Sequence, residues 1–183
     1  LKHWFTSDHH NLHDNIQKHC NRPFGNVKEQ EQCLLDNHNS LVDPKDTVYI
    51  LGDISMTKEG AISILEKMNG QKYFILGNHD KELVNVIKQY CQVVRDLYDI
   101  KINNQKITLC HYMMLTWNCS HYGAWQLFGH SHGTIQPIGL QHDVGVDNND
   151  FKPVSFEQIV EIMKHRKEHH TVNSIVFNGV ELK

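Results

Sequence analysis

The chain has 183 residues, 39% of them apolar and 21% charged, with a formal charge of −3. That length and balance describe a globular chain able to bury a full core, and they exclude a disordered or low-complexity protein. The slight acidity supplies no general basic field for long nucleic acid, and no stretch reaches the roughly 20 apolar residues of a membrane span.

Five isolated cysteines, odd in number and without a C-x-x-C pair, fit a reducing compartment rather than a disulfide framework. One cytoplasmic domain over residues 1–183 is the expectation, with no membrane partner and an oligomeric state left open. Fifteen histidines are many for this length, and histidine is the commonest metal ligand among side chains. Bound cations would also invert the local sign of a cleft, so nucleic acid stays open as a partner.

In chain order, residues 2–6 read as a short strand, and 27–41 as a polar helix burying Leu34, Leu35 and Leu41. Residues 47–51 form a dense β-branched and apolar run, the pattern of a strand covered on both faces. Helical spacing over 61–68 precedes a strand over 72–76 and another helix over 81–90. This β-α-β-α-β series predicts crossover connections and a largely parallel sheet.

The second half reads differently: a hairpin of 93–102 and 106–110 turning at Asn103 and Asn104, then strands over 124–128 and 140–146. A helix over 155–164, capped by Ser155, and a closing strand over 172–177 complete the chain. Two sheets face to face between helices account for both halves.

Five segments at the ends of these elements carry ligand-type side chains: Asp8-His9-His10, Gly52-Asp53, Gly77-Asn78-His79-Asp80, His111, and Gly129-His130-Ser131-His132. Carboxylates, an amide and imidazoles, with no thiolate, suit two divalent ions of the manganese, iron or zinc kind. Asp53 follows the most apolar strand and is the candidate bridge between them. Asp8 and His10 alternate along what reads as an extended segment, which sends His9 to the opposite side as a non-ligand. His130 and His132 repeat the spacing.

The set resembles the calcineurin-like metallophosphoesterases, whose pattern is D-x-H, G-D, G-N-H-[DE], H and G-H-x-H in that order, here met from residue 8 to residue 132. The short, uncapped form is similar to the small phage and bacterial branch. Residues 20–24 (Cys-Asn-Arg-Pro-Phe) and 143–147 (Asp-Val-Gly-Val-Asp) add to that likeness.

The resemblance implies an α/β/β/α four-layer sandwich and hydrolysis of a phosphomonoester or phosphodiester, such as a nucleotide. It implies one metal on Asp8, His10, Asp53 and His132, and a second on Asp53, Asn78, His111 and His130. The ions would be manganese foremost, with iron, zinc or nickel as alternatives, and a hydroxide between them would attack phosphorus. His79 would serve the leaving group, and Asp80 would orient His79 and favour its charged form.

Arg22 reads equally as a clamp for a substrate phosphate and as a surface loop residue. Tyr112 and Trp117 are candidates for a wall against a substrate ring, whereas Trp125 reads as core. Asp147 reads equally as a support for a ligand histidine and as a turn residue. The remaining histidines, His38 and His142 among them, read as surface or supporting residues. A nuclease acting on nucleic-acid ends is the nearest alternative, and a metal-holding binding module without turnover is the alternative of another class.

Overall fold

A computed structural model of the chain describes residues 1–167, 175–177 and 180–182. Its first sheet holds β1 (His3–Thr6), β2 (Thr47–Ile50), β3 (Gln71–Ile75), β4 (Cys91–Arg95) and, further along the chain, Val154–Ser155. The order is β4-β3-β2-β1 with the Val154–Ser155 strand at the far edge; the first four run parallel and the edge strand is antiparallel. Helices α1 (Asp14–His19), α2 (Val27–Leu41), α3 (Lys58–Leu65) and α4 (Val84–Tyr90) supply the crossovers.

The second sheet pairs β5 (Leu97–Ile102) antiparallel with β6 (Gln105–Cys110), then β6 parallel with β7 (Trp125–Phe128) and β7 parallel with β8 (Gln141–Asp143). With β9 for the Val154–Ser155 strand and α5 for Phe156–Lys167, the described residues form two mixed sheets flanked by helices.

Strand β2 reads as an unbroken apolar run because both its faces are covered, and its neighbours β1 and β3 share the two cores. Trp4, Val48, Ile50 and Phe74 point outward, onto Leu34 and Leu35 of α2, Ala61, Ile64 and Leu65 of α3, and Ile87 of α4. Phe5, Tyr49, Leu51 and Ile75 point inward, against Ile107, Leu109, Trp125 and Leu127 of the second sheet, with Phe156, Ile159 and Met163 of α5 closing that layer. Each alternate residue thus enters a different core. Trp125 is buried there, as its setting predicts.

Three expectations change. The strand-like run over 93–102 is two strands: β4 finishes the first sheet, and after Asp96 the chain enters the second as β5. The hairpin that follows does turn on Asn103 and Asn104, both left-handed at φ 47 and 67, the conformation a two-residue loop with native twist demands. Along α2 the buried stripe is Gln30, Leu34 and His38, spaced by four, with Leu35 beside it. Leu41 falls off that stripe and is exposed, whereas His38 is buried with Nε2 3.0 Å from the Asn69 carbonyl.

The closing strand begins outside the described residues; Ile175–Phe177 pairs antiparallel with Val180–Leu182 and with neither large sheet. Helix α5 is capped as expected: Ser155 Oγ accepts from Gln158 N at 3.2 Å, and Gln158 Oε1 accepts from Ser155 N at 2.8 Å. Strands β1, β2, β3, β6 and β7 share one consequence: each is followed directly by one of the five ligand-bearing segments.

Candidate metal centre

The loops after β1 and β2 run side by side, with Asp8 N donating to Gly52 O, His10 N to Asp53 O, and Asn11 N to Ile54 O at 2.8–3.0 Å. The extended alternation expected for Asp8 and His10 is replaced by a different device. Asp8, His10, Asp53, His130 and His132 all sit in the left-handed region, at φ between 46 and 67. Asp and His tolerate that region better than most residues, but it costs about 1–3 kcal/mol each and is held by its surroundings. The coil turns these side chains toward one centre. His9 still points away, buried with Nε2 3.4 Å from Thr6 Oγ1.

Asp53 stands in the middle. Its Oδ2 lies 3.4 Å from His111 Nε2, 3.6 Å from His10 Nε2 and 3.9 Å from His79 Nε2, and its Oδ1 accepts from His79 N at 3.1 Å. Asn78 Oδ1 lies 3.2 Å from His111 Nε2. Two ligand groups adjoin: Asp8, His10 and His132 on one side, and Asp53, His111 and His130 on the other. Asp53 with His10 and His79 forms a third group between them. All seven residues expected as ligands therefore converge, with His79 at the junction.

This donor set fits divalent cations. His10 is buried, yet neither of its ring nitrogens has a hydrogen-bond partner, a costly state for a polar group unless it ligates an ion. Burial holds its imidazole neutral, with a pKa near 3, the form a metal needs. Burial alone would raise the Asp53 pKa, but the hydrogen bond and charge of His111 hold it down to about 2. For Asp8 burial wins and lifts the carboxyl to about 7, a cost that a cation would remove. The backbone must approach closely here: a Cβ on Gly77 would lie 2.2 Å from Asp53 Oδ1, and one on Gly129 2.5 Å from Asp8 Oδ2. Cys20 also comes near His132 and Asp147, but burial lifts its thiol pKa to about 11 and keeps it protonated.

The rings are aimed from behind. His111 Nδ1 donates to the Leu51 carbonyl at 2.6 Å, and His132 Nδ1 to Asp147 Oδ2 at 2.6 Å, leaving both Nε2 atoms for the centre. Asp147 thus takes the supporting role rather than a turn role alone. Its other partner is Arg22, which is neither a surface residue nor a phosphate clamp. The Arg22 side chain is fully buried: Nε and Nη2 meet the two Asp147 oxygens at 2.7 and 2.8 Å. Its Nη1 and Nη2 also donate to the carbonyls of His9 and Asp8 at 2.8 and 2.6 Å. Little of the fork remains for a substrate.

Asp80 also differs from expectation. It makes no hydrogen bond to the His79 ring; its carboxylate accepts instead from the backbone N–H groups of Asp53, Ile54 and Gly77 at 2.7–3.2 Å. It ties the second ligand loop to the third. Asp143, given no role by the sequence, does the same for the fifth: Oδ2 accepts from Ser131 Oγ and Gly133 N, and Oδ1 from Gly145 N. Of the aromatic candidates, Tyr112 lies at the rim, 44% exposed, its ring centroid 4.8 Å from that of His130 and 5.0 Å from that of His111. Trp117 packs against the core between the sheets and donates its indole N–H to the Ala124 carbonyl, so it lines no substrate wall.

Three buried imidazoles and one half-buried one make the fold acid-sensitive. Burial lowers the pKa of His9 and His10 to about 3 and of His38 and His142 to about 4, from 6.5 when unfolded. A group with a depressed folded value binds fewer protons when native, so its contribution is present above 6.5 and is lost as pH falls toward 3–4. Asp8 and Asp80, raised by burial to about 7 and 6, act in the opposite sense over the same range, two groups against four. The midpoint of thermal unfolding of the metal-free protein, followed by circular dichroism, should fall steadily from pH 6.5 to 4. A flat profile would contradict it.

Ligand-type side chains in this order, gathered at the strand ends of two facing sheets, define the class: an α/β sandwich of two mixed sheets flanked by helices, with clusters of His and Asp that could hold metal ions. More narrowly, the chain belongs to the family of an uncharacterized protein of Methanocaldococcus jannaschii, MJ1445, with 35% identity over 184 residues, covering 94% of this chain and 97% of that protein. The Gene 66 protein of Mycobacterium phage L5 is 41% identical over 81 residues, 42% of this chain and 39% of its own length. Among solved structures, a protein of unknown function from Aquifex aeolicus, AQ665, is similar with a TM-score of 0.72 and 25% identity, over 88% of this chain and 98% of that one. No protein-family model matches the chain. Among the described residues, no helix is long and apolar enough to cross a membrane.

Proposed function

We propose that the protein is a dinuclear metal-dependent phosphoesterase, acting on a nucleotide or another small phosphodiester or phosphomonoester. The observation that carries this reading is the shared carboxylate: Asp53 belongs both to a group with His10 and to a group with His111 and His130. Asp8, His10, Asp53 and His132 would hold one ion, and Asp53, Asn78, His111 and His130 the other. When bound, a pair of divalent ions supplies positive charge for the phosphoryl oxygens and lowers the pKa of water.

The chain's own part is placement. Asp53, ionised across the working pH range, fixes the positions on both sides of it. His79 reaches the junction from a more open setting, its side chain 36% exposed and its backbone N–H held by Asp53 Oδ1. A ring so placed can carry a proton to a departing oxygen. Tyr112, at the other rim, offers a ring face to a nucleotide base.

Protein loaded with manganese should hydrolyse bis-p-nitrophenyl phosphate or p-nitrophenyl phosphate and stop on addition of chelator. His79→Ala should slow an alkyl ester by about 100-fold or more, the usual worth of a positioned acid. It should slow a p-nitrophenyl ester far less, since that leaving group scarcely needs a proton. Equal losses on both would remove His79 from the role. No turnover across the panel, with metal bound, would leave a binding module.

A further inference from the structure

A hollow of about 330 Å³ opens directly beside Asn78 and His79. Its walls are the start of α3, with Met56 and Lys58, and the turn that follows His79, with Glu82 and Leu83. The other hollows described on the molecule are lined by none of the convergent ligands. His79 lines this space and also reaches the centre, with Nε2 3.9 Å from Asp53 Oδ2. If His79 protonates the departing oxygen, the group attached to that oxygen lies next to His79, and this is the described hollow that His79 lines.

We infer that this hollow is the leaving-group subsite, and that it takes a small, uncharged alcohol bearing a vicinal diol, the chemistry shared by a ribonucleoside and by glycerol. The assignment rests on the phosphoesterase reading. Its size is at the lower end of small-ligand pockets, right for one ring or a short chain. Lys58 and Glu82 both face it, and neither pairs with the other or with any other described residue.

A carboxylate free of a cation accepts two hydroxyl protons from adjacent carbons, as a diol presents them, and an ammonium donates to the diol's oxygens. Lys58 and Glu82 together leave the hollow without a net charge, which suits an uncharged alcohol rather than a strand that carries a further phosphate into it. Met56, 44% exposed, gives a thioether surface at the mouth, and Leu83, almost fully buried, an apolar floor. A flat sugar or base edge can lie on these.

The test compares esters that differ only in the departing alcohol, using manganese-loaded protein and chromatography of the released alcohol. Adenosine 5′-esters should have kcat/KM about tenfold above their 2′,3′-dideoxy counterparts, the worth of roughly one charge-assisted hydrogen bond in a half-open site. Glycerol 1-esters should likewise exceed propyl esters. In Glu82→Gln both ratios should collapse toward one, and Lys58→Ala should reduce them.

A larger advantage for adenosine than for glycerol, lost in Met56→Ala, would identify the nucleoside as the source; equal advantages would identify the diol alone. Ratios near one in the unaltered protein, or ratios unmoved in Glu82→Gln, would overturn the subsite while leaving the phosphoesterase reading intact. Failure to hydrolyse even the activated aryl esters would overturn that reading, and the subsite with it.

Discussion

In Asp53→Ala the proposed dinuclear centre should lose one or both ions, and phosphoester hydrolysis should fall by well over 100-fold, beyond the upper end of what a mere outer partner of a ligand costs. The expectation follows from its position: one carboxylate faces three imidazoles within 3.9 Å, and it belongs to ligand groups on both sides. Removing it leaves Asp8, His10 and His132 as one incomplete set and Asn78, His111 and His130 as another. Metal content after gel filtration should fall from two ions per chain to one or none. Retention of two, with turnover, would remove Asp53 from the bridge.

A second readout guards against simple unfolding. In the metal-free protein burial pushes the His111 pKa down, but the hydrogen bond to Asp53, with the charges of Asp8 and Asp53, outweighs it and lifts the value to about 9. Asp53→Ala deletes the largest of the raising causes. The His111 ring, followed by nuclear magnetic resonance, should then titrate at lower pH in a chain that still gives dispersed signals. An unchanged midpoint would show that Asp53 does not govern the electrostatics of the centre.

The same residue shows what a sequence can carry. The strand before Asp53 is legible because both its faces are buried, which leaves an unbroken apolar run ending in glycine and aspartate. Convergence of the ligands is legible for a related reason: parallel strands put their carboxyl ends on one side, so motifs that follow strands meet. The backbone that achieves it is not legible. Asp8-His9-His10 reads as an extended segment, and nothing local marks the left-handed turns that replace it, because their stability comes from the neighbouring loop's hydrogen bonds.

Crossing points between sheets are hidden in the same way. Residues 93–102 have one continuous strand character, and the break at Asp96 appears only when β3 and β6 claim different parts of it. Asp80 illustrates a third limit. Its place beside His79 in the sequence points to the ring, whereas folding brings three backbone N–H groups of two loops onto its oxygens first. A neighbour in sequence is a weaker competitor than three converging donors.

Arg22 depends on a contact distant in sequence, since its carboxylate partner lies 125 residues away. Arg22→Ala should destabilise the fold by about 3–5 kcal/mol, because it leaves the Asp147 charge buried and half paired. For a chain of this size that lowers the unfolding midpoint by about 10 °C. Arg22→Lys should recover only part, because an ammonium cannot span both carboxylate oxygens and also reach the carbonyls of Asp8 and His9. Full recovery by lysine would mean that charge alone matters.

Replacing the pair together separates fold from site. In Arg22→Met with Asp147→Leu no lone charge is left behind, and buried ion pairs exchanged for apolar groups of similar volume often leave stability near its starting level. The His132 ring, however, loses the acceptor that holds its Nδ1 proton. Calorimetric titration of the double variant should therefore show one ion binding 10–100-fold more weakly, the usual worth of such a partner, with the other little changed. Two ions bound as tightly as before would show that Arg22 and Asp147 serve the fold alone.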